Sequence, residues 1–203
     1  MGNRAVITTE ENFIKNGVGV YIHWNGGRTS VECFLKYCKL KRYRAPETDC
    51  YGWARLCQVI GNFFGGDISV GVDVLSKLDC DNGDNGTYLI KDWEIVGRKY
   101  EPDEDYDRYD KTEFLVDIDN SMPESERLGE DFIRAKEVSV EELKIGDIIC
   151  DMDWLGKTYS ALCIGFSEGK DFHGGGFVKC PVVKKDDDRV IVLEKKMFRV
   201  KES

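Results

Sequence analysis

Between Glu101 and Asp131 the chain carries thirteen carboxylates and only three bases, Arg108, Lys111 and Arg127. A stretch this acidic is expected on a surface, because a buried charge is tolerated only with a partner. It separates two more apolar parts of the chain. The 203 residues together have a net charge of −9. The remainder is therefore close to neutral, about +1, and the acidity belongs to one segment rather than to the fold. Only FLVDI (114–118) is apolar within it, so the segment reads as a long surface loop or as a charged face carrying one strand.

The part before this segment alternates strand and helix patterns. RAVITT and GVGVYIHW are β-type runs, the second with Val18, Val20 and Ile22 on one face. A helix follows, with Thr29 and Glu32 in the T-x-x-E spacing of a capping box and Val31, Phe34, Leu35 and Cys38 on one stripe. A second helix begins at Asp49, a good N-cap, and stops at Gly65-Gly66. DISVGVDVL is a strand, CDNGDNGTY has the Asn-Gly chemistry of hairpin turns, and TYLIKDWEIVGRKY is a strand or a bent pair. After the acidic segment come four β-type runs: VSVEELKIGDIICDM, KTYSALCIGF, GGFVKCPVV and RVIVLEKKMFRV. The expected class is α+β. Residues 1–100 are expected to form a mixed unit with two helices on an antiparallel sheet, 101–135 an acidic linker or loop, and 136–203 a small SH3-like β-barrel.

No run approaches the roughly 20 apolar residues that span a bilayer, and MGNRAVITTEENF lacks the apolar centre of a secretory signal. The expectation is a cytoplasmic protein without a membrane contact. The eight cysteines contain no C-x-x-C; their spacings are not those of a zinc knuckle, and they read as reduced thiols packed as small hydrophobes. No metal or cofactor is expected.

Four stretches could carry chemistry. HWNGGRTS (23–30) puts Gly26, Gly27, Arg28, Thr29 and Ser30 where a strand meets a helix, either a tight turn or an anion cradle built on orphan N–H groups and a guanidinium. The bases of KYCKLKRYR, among them Lys39, Arg42 and Arg44, with Tyr37 and Tyr43 interleaved, could hold a phosphate chain or form a solvated helix end. His23 with Cys33, Cys50 or Cys57 would make a thiol enzyme. LDCDNGDNG is rich in Asp and Asn but fails the calcium-loop pattern, with Gly83 at position 3 and Asp92 at position 12, and reads as a hairpin turn. The acidic segment, with Asp103, Glu104, Asp105, Asp107 and Asp110 beside Tyr106 and Tyr109, could imitate the phosphates of a nucleic acid.

At GVYIHWNGGRTSVECFLKYCKLKRYR, DCYGWARLCQVIGNFFGG and LDCDNGDNGTYLIKDWEIVGRK the chain resembles a family of small proteins encoded by bacteriophages and mobile elements. The resemblance covers about the first 100 residues and implies a context, the bacterial cytoplasm, rather than functional residues. Small acidic phage proteins without enzyme motifs are often counter-defence inhibitors such as anti-CRISPR proteins, and some are sponges for nucleotide signals. The leading expectation is thus a non-enzymatic inhibitor whose acidic segment engages a host protein through its basic nucleic-acid-binding surface. A nucleotide sponge at Gly26–Arg28, completed by oligomerisation, is the alternative, and a Cys-His enzyme the third.

Overall fold

The structure is a computed structural model that describes residues 2–66, 69–100, 109–170, 177–195 and 197–201. It is a mixed α+β protein with two sheets, and the chain divides into two units, Met1–Arg127 and Leu128–Ser203. Among the described residues no helix is long and apolar enough to cross a membrane.

In the first unit, β1 (Ala5–Thr9) lies at the centre of a five-stranded sheet. It pairs antiparallel with β2 (Val18–Ile22), which pairs with the edge strand β3 (Val70–Val74). On its other side it pairs parallel with β4 (Thr87–Lys91), which forms a hairpin with β5 (Glu94–Lys99). The sheet is therefore mixed rather than antiparallel. The cause is the LDCDNGDNG stretch, which is not a hairpin turn but a crossover from β3 to β4, with β2 and β1 between them. Asn82 builds it: its side-chain oxygen accepts from the backbone N–H of Asp84, Asn85 and Gly86, and its amide donates to the carbonyls of Asp79 and Gly86. The tight reversal falls instead at Asp92-Trp93, both at positive φ (51° and 63°), the signature of a type I′ turn.

Period-two alternation sorts the sheet. Ala5, Ile7, Val20, Ile22, Tyr88 and Ile90 share one face and are buried. On the other face a Cβ at Gly19 would meet Leu75 and Leu78 of the crossover, so that side is covered by a loop and the first face by helices. Helix α1 (Glu10–Lys15), a short element between β1 and β2, is capped by the Thr9 hydroxyl. Helices α2 (Arg28–Leu40) and α3 (Cys50–Phe63) pack on each other, α2 towards β5 and α3 towards β3. Asp49 caps α3 as the sequence implies, and Gly65 and Gly66 leave it at positive φ.

The 114–118 run is neither strand nor loop. It lies within α4 (Lys111–Ser121), whose N-terminus is capped by Asp110 accepting from the N–H of Thr112 and Glu113. Phe114, Leu115 and Ile118, with Met122 beyond, are buried at helical spacing, and α4 packs against α2 and α3. Residues 111–122 of the segment read as a linker thus pack into the first unit.

The second unit opens with α5 (Glu130–Arg134) and six strands: β6 (Lys136–Ser139), β7 (Ile148–Met152), β8 (Thr158–Lys170), β9 (Phe177–Lys185), β10 (Val190–Val192) and β11 (Met197–Val200). The first and last of the four β-type runs each supply two strands. All pairings are antiparallel, in the order β10-β9-β8-β7-β11-β6. Among the described residues no pairing joins β10 to β6, so this is an open sheet and not a closed barrel. Its core gathers Val140, Ile149, Cys163, Val183 and Phe198.

Candidate functional site

Two of the sequence motifs meet at one place. Arg4 donates through Nε to Asp84 (2.6 Å), and Asp84 also accepts the Arg4 backbone N–H (3.0 Å). The hydrogen bond from Arg4 holds the Asp84 carboxyl below the usual carboxylate range. The Asn85 amide donates to Asn3 and to the Arg4 carbonyl, while Asn3 N–H donates to the His23 carbonyl and Gly26 N–H to the Asn3 carbonyl. The crossover and the HWNGG turn are therefore both fastened to residues 3–5. A Cβ at Gly26 would stand 2.6 Å from Asn3 O and Arg4 C, so this glycine is there for close backbone approach. The same holds for Gly52, where a Cβ would lie 2.6–2.7 Å from the 44–46 backbone.

The proposed anion cradle disperses. Helix α2 starts with Gly27 as N-cap and no side-chain cap, so the Thr29-Glu32 capping box does not form. Thr29 and Ser30 are buried, and Arg28 turns back on Glu32. The bases farther along sit about 18 Å away at the other end of a 13-residue helix. Lys39 pairs with Glu94, Lys41 reaches the Glu126 carbonyl, Arg42 adopts a left-handed φ of 56°, and Arg44 pairs with Asp49 over the Tyr51 ring. Tyr37 cannot stack on a base: it is fully buried and donates to Asp119 (2.6 Å). Tyr43 is half-buried beneath Arg55.

Of the acidic segment, Asp103, Glu104, Asp105, Tyr106 and Asp107 lie outside the described residues. Asp110 is the α4 cap, and Tyr109 stacks on Phe114 (5.1 Å between centroids). Other acids are used internally: Asp119 by Tyr37, Glu126 by Gln58, Glu130 by Arg134 and Asp131 by Lys201.

None of the eight cysteines is in a disulfide. His23 bonds to the Tyr21 hydroxyl through Nδ1 (3.1 Å) and packs edge-on against Trp24. Cys33 is buried against the Lys111 carbonyl, burial pushes the thiols of Cys38 and Cys57 up, and Cys50 is exposed at the first turn of α3. Raised thiols are poor nucleophiles at neutral pH. Among the described residues no three His, Cys, Asp or Glu side chains lie together as metal ligands.

What the fold does assemble is a cleft of about 440 Å³ between α2, the β5 end of the sheet and α4. Cys33, Leu35, Trp93, Ile95 and Leu115 line it, and Lys36, Lys39, Lys111, Glu32 and Glu94 form its charged rim. Glu32 is shared, one oxygen taking Arg28 Nε (2.9 Å) and the other Lys111 Nζ (2.6 Å). Lys39 Nζ meets Glu94 at 2.5 Å, which holds the Glu94 carboxyl below its usual range, with a smaller contribution from Lys36. Lys36 itself is exposed, and among the described residues no carboxylate lies within ion-pair distance of it. The size falls within the roughly 300–1,000 Å³ of small-molecule sites, which pair apolar walls with a few polar groups.

Lys36 and Lys39 of the KYCKLKRYR bases, Cys33, Glu32 and, through Glu32, Arg28 connect this cleft with the residues singled out from sequence. Trp93, Glu94 and Lys111 carry no local signal, because their convergence depends on the crossover and on α4. No family model, curated protein or solved structure matches the chain.

Proposed function

We propose that the protein is a non-enzymatic binding protein that takes a small anionic ligand in the α2–α4–β5 cleft. The observation that carries this is charge. In a chain of net −9, three lysines face two glutamates around an apolar floor among the described residues, and Arg28 further offsets Glu32. Within the counter-defence context implied by the first 100 residues, this is a ligand-sequestering reading at the side of α2, distinct from a nucleotide sponge at the helix N-terminus. In differential scanning fluorimetry against a panel of nucleotides and organic acids, at least one anion should raise the melting temperature by several degrees. The Lys36→Ala/Lys111→Ala double variant should lose that shift, while Arg44→Ala, outside the cleft, keeps it. A panel without any shift, or an equal shift in the double variant, contradicts the reading.

A second reading, inhibition of a host protein through the acidic segment, is favoured by one feature. Tyr100 and Tyr109, at the two ends of the 101–108 stretch, are each about half exposed (53% and 51%), and exposed tyrosines are common anchors at interfaces. Replacing Asp103, Glu104, Asp105 and Asp107 together by amides, with the α4 cap Asp110 left intact, should weaken capture of a basic host partner and flatten its salt dependence. Unchanged capture removes this reading.

A further inference from the structure

We propose that the cleft selects a compact carboxylate with an apolar body, aromatic or aliphatic, over a nucleoside polyphosphate. The inference rests on the cleft being the ligand site and names the class of ligand it takes.

The rim is an ordered row rather than a diffuse basic patch. Glu32 and Lys39 are seven residues apart on one face of α2, two turns or about 10 Å. Each is engaged across the cleft, Glu32 with Lys111 of α4 and Lys39 with Glu94 of β5. Lys36 stands between them, four residues after Glu32 and three before Lys39, on the same face. Among the described residues the cations at the two ends are thus already matched by carboxylates, and the ammonium not so matched is the central one. A single carboxylate placed on Lys36 adds one ion pair to the row without breaking the other two.

A polyphosphate fares differently. Its further charges would extend towards Glu32 or Glu94, and like charges a few ångströms apart repel strongly at a partly desolvated site. To bind, it would have to displace both glutamates from their lysines.

The walls favour an apolar body. Cys33, Leu35, Ile95 and Leu115 offer no polar side-chain group that could read the edge of a base, apart from the weak donor of the Cys33 thiol, already turned to the Lys111 carbonyl. Trp93 has one donor, and it is committed to the Tyr43 carbonyl (2.9 Å), which leaves its ring as apolar surface.

The test is isothermal titration of the full chain with 1-naphthoate, decanoate, AMP and ATP at low and physiological salt. At least one of the two carboxylates should bind about tenfold or more tightly than ATP, a difference equivalent to 1.4 kcal/mol. Lys36→Gln, an exposed change whose folding is checked by circular dichroism, should weaken that carboxylate by a similar factor. Glu94→Gln should narrow the gap in favour of ATP. Tighter binding of ATP with a steep salt dependence overturns this inference and leaves the cleft as an anion site. Carboxylate binding that ignores Lys36→Gln overturns it as well. Absence of heat from all four ligands removes both the inference and the reading it rests on.

Discussion

Arg199→Ala should destabilise the second unit by about 3 kcal/mol or more, because three backbone carbonyls lose a charged donor. The Arg199 side chain, only 15% exposed, runs from β11 to the end of α5. Its guanidinium donates to three backbone carbonyls, those of Phe132, Ile133 and Ala135, and to the Glu137 carboxylate (3.0 Å). Helix α5 has only five residues, too few to satisfy its own last carbonyls, so one planar fork of donors does what a longer helix or a glycine cap would do. Burial pulls the Arg199 pKa down, but a guanidinium stays protonated at any ordinary pH. With alanine the carbonyls lose their donors, at about 1–3 kcal/mol for each acceptor left buried. Arg199→Lys should recover only part of the loss, since an ammonium cannot present the same fork. Urea unfolding, read together with amide exchange of β6, β7 and β11, measures this. A midpoint within error of the unaltered protein would show that water satisfies these carbonyls.

Tyr37→Phe should cost the first unit about 2–3 kcal/mol, in line with losing a hydrogen bond to a charged group. The phenol on α2 donates to Asp119 on α4 at 2.6 Å, and both residues are buried. Burial first, and the neighbouring Asp119 next, push the Tyr37 pKa up, so the phenol keeps its proton and remains a donor. The bond ties together the two helices that form opposite walls of the cleft, so its loss should also weaken ligand binding at a distance. Coupling decides the matter. If Tyr37 and Asp119 act on each other, the double variant Tyr37→Phe/Asp119→Ala should lose less than the sum of the two single changes. Strict additivity in a double-mutant cycle would mean that the two groups merely lie close.

The elements with strong local signals were legible in the sequence. The Val31-Phe34-Leu35-Cys38 stripe is α2, the Asp49 cap and Gly65-Gly66 stop bound α3, and the four C-terminal β-type runs are strands. What escaped depends on contacts distant in sequence. FLVDI is β-like by composition, yet the Asp110 cap and the apolar surface of α2 and α3 make it a helix. The Asn-Gly pairs favour tight turns, yet the five hydrogen bonds of Asn82 turn them into a crossover, which in turn makes the β1–β4 pairing parallel. Arg28 stands out in the sequence as the charged residue of its turn, but its engagement follows from Glu32, which lies one helical turn away, and from Lys111, which no local pattern could place there. The cleft joins residues 32–39, 93–95 and 111–115, three segments whose meeting requires the whole first unit.

The most direct measurement is chemical-shift mapping of the isotopically labelled protein during titration with the anion that stabilises it most. The account predicts shifts concentrated at Glu32–Lys39, Trp93–Ile95 and Lys111–Leu115, with Lys36→Gln needing about tenfold more ligand to reach them. Shifts confined to Gly26–Ser30, or spread along the Lys41–Arg44 bases without the cleft, would contradict it.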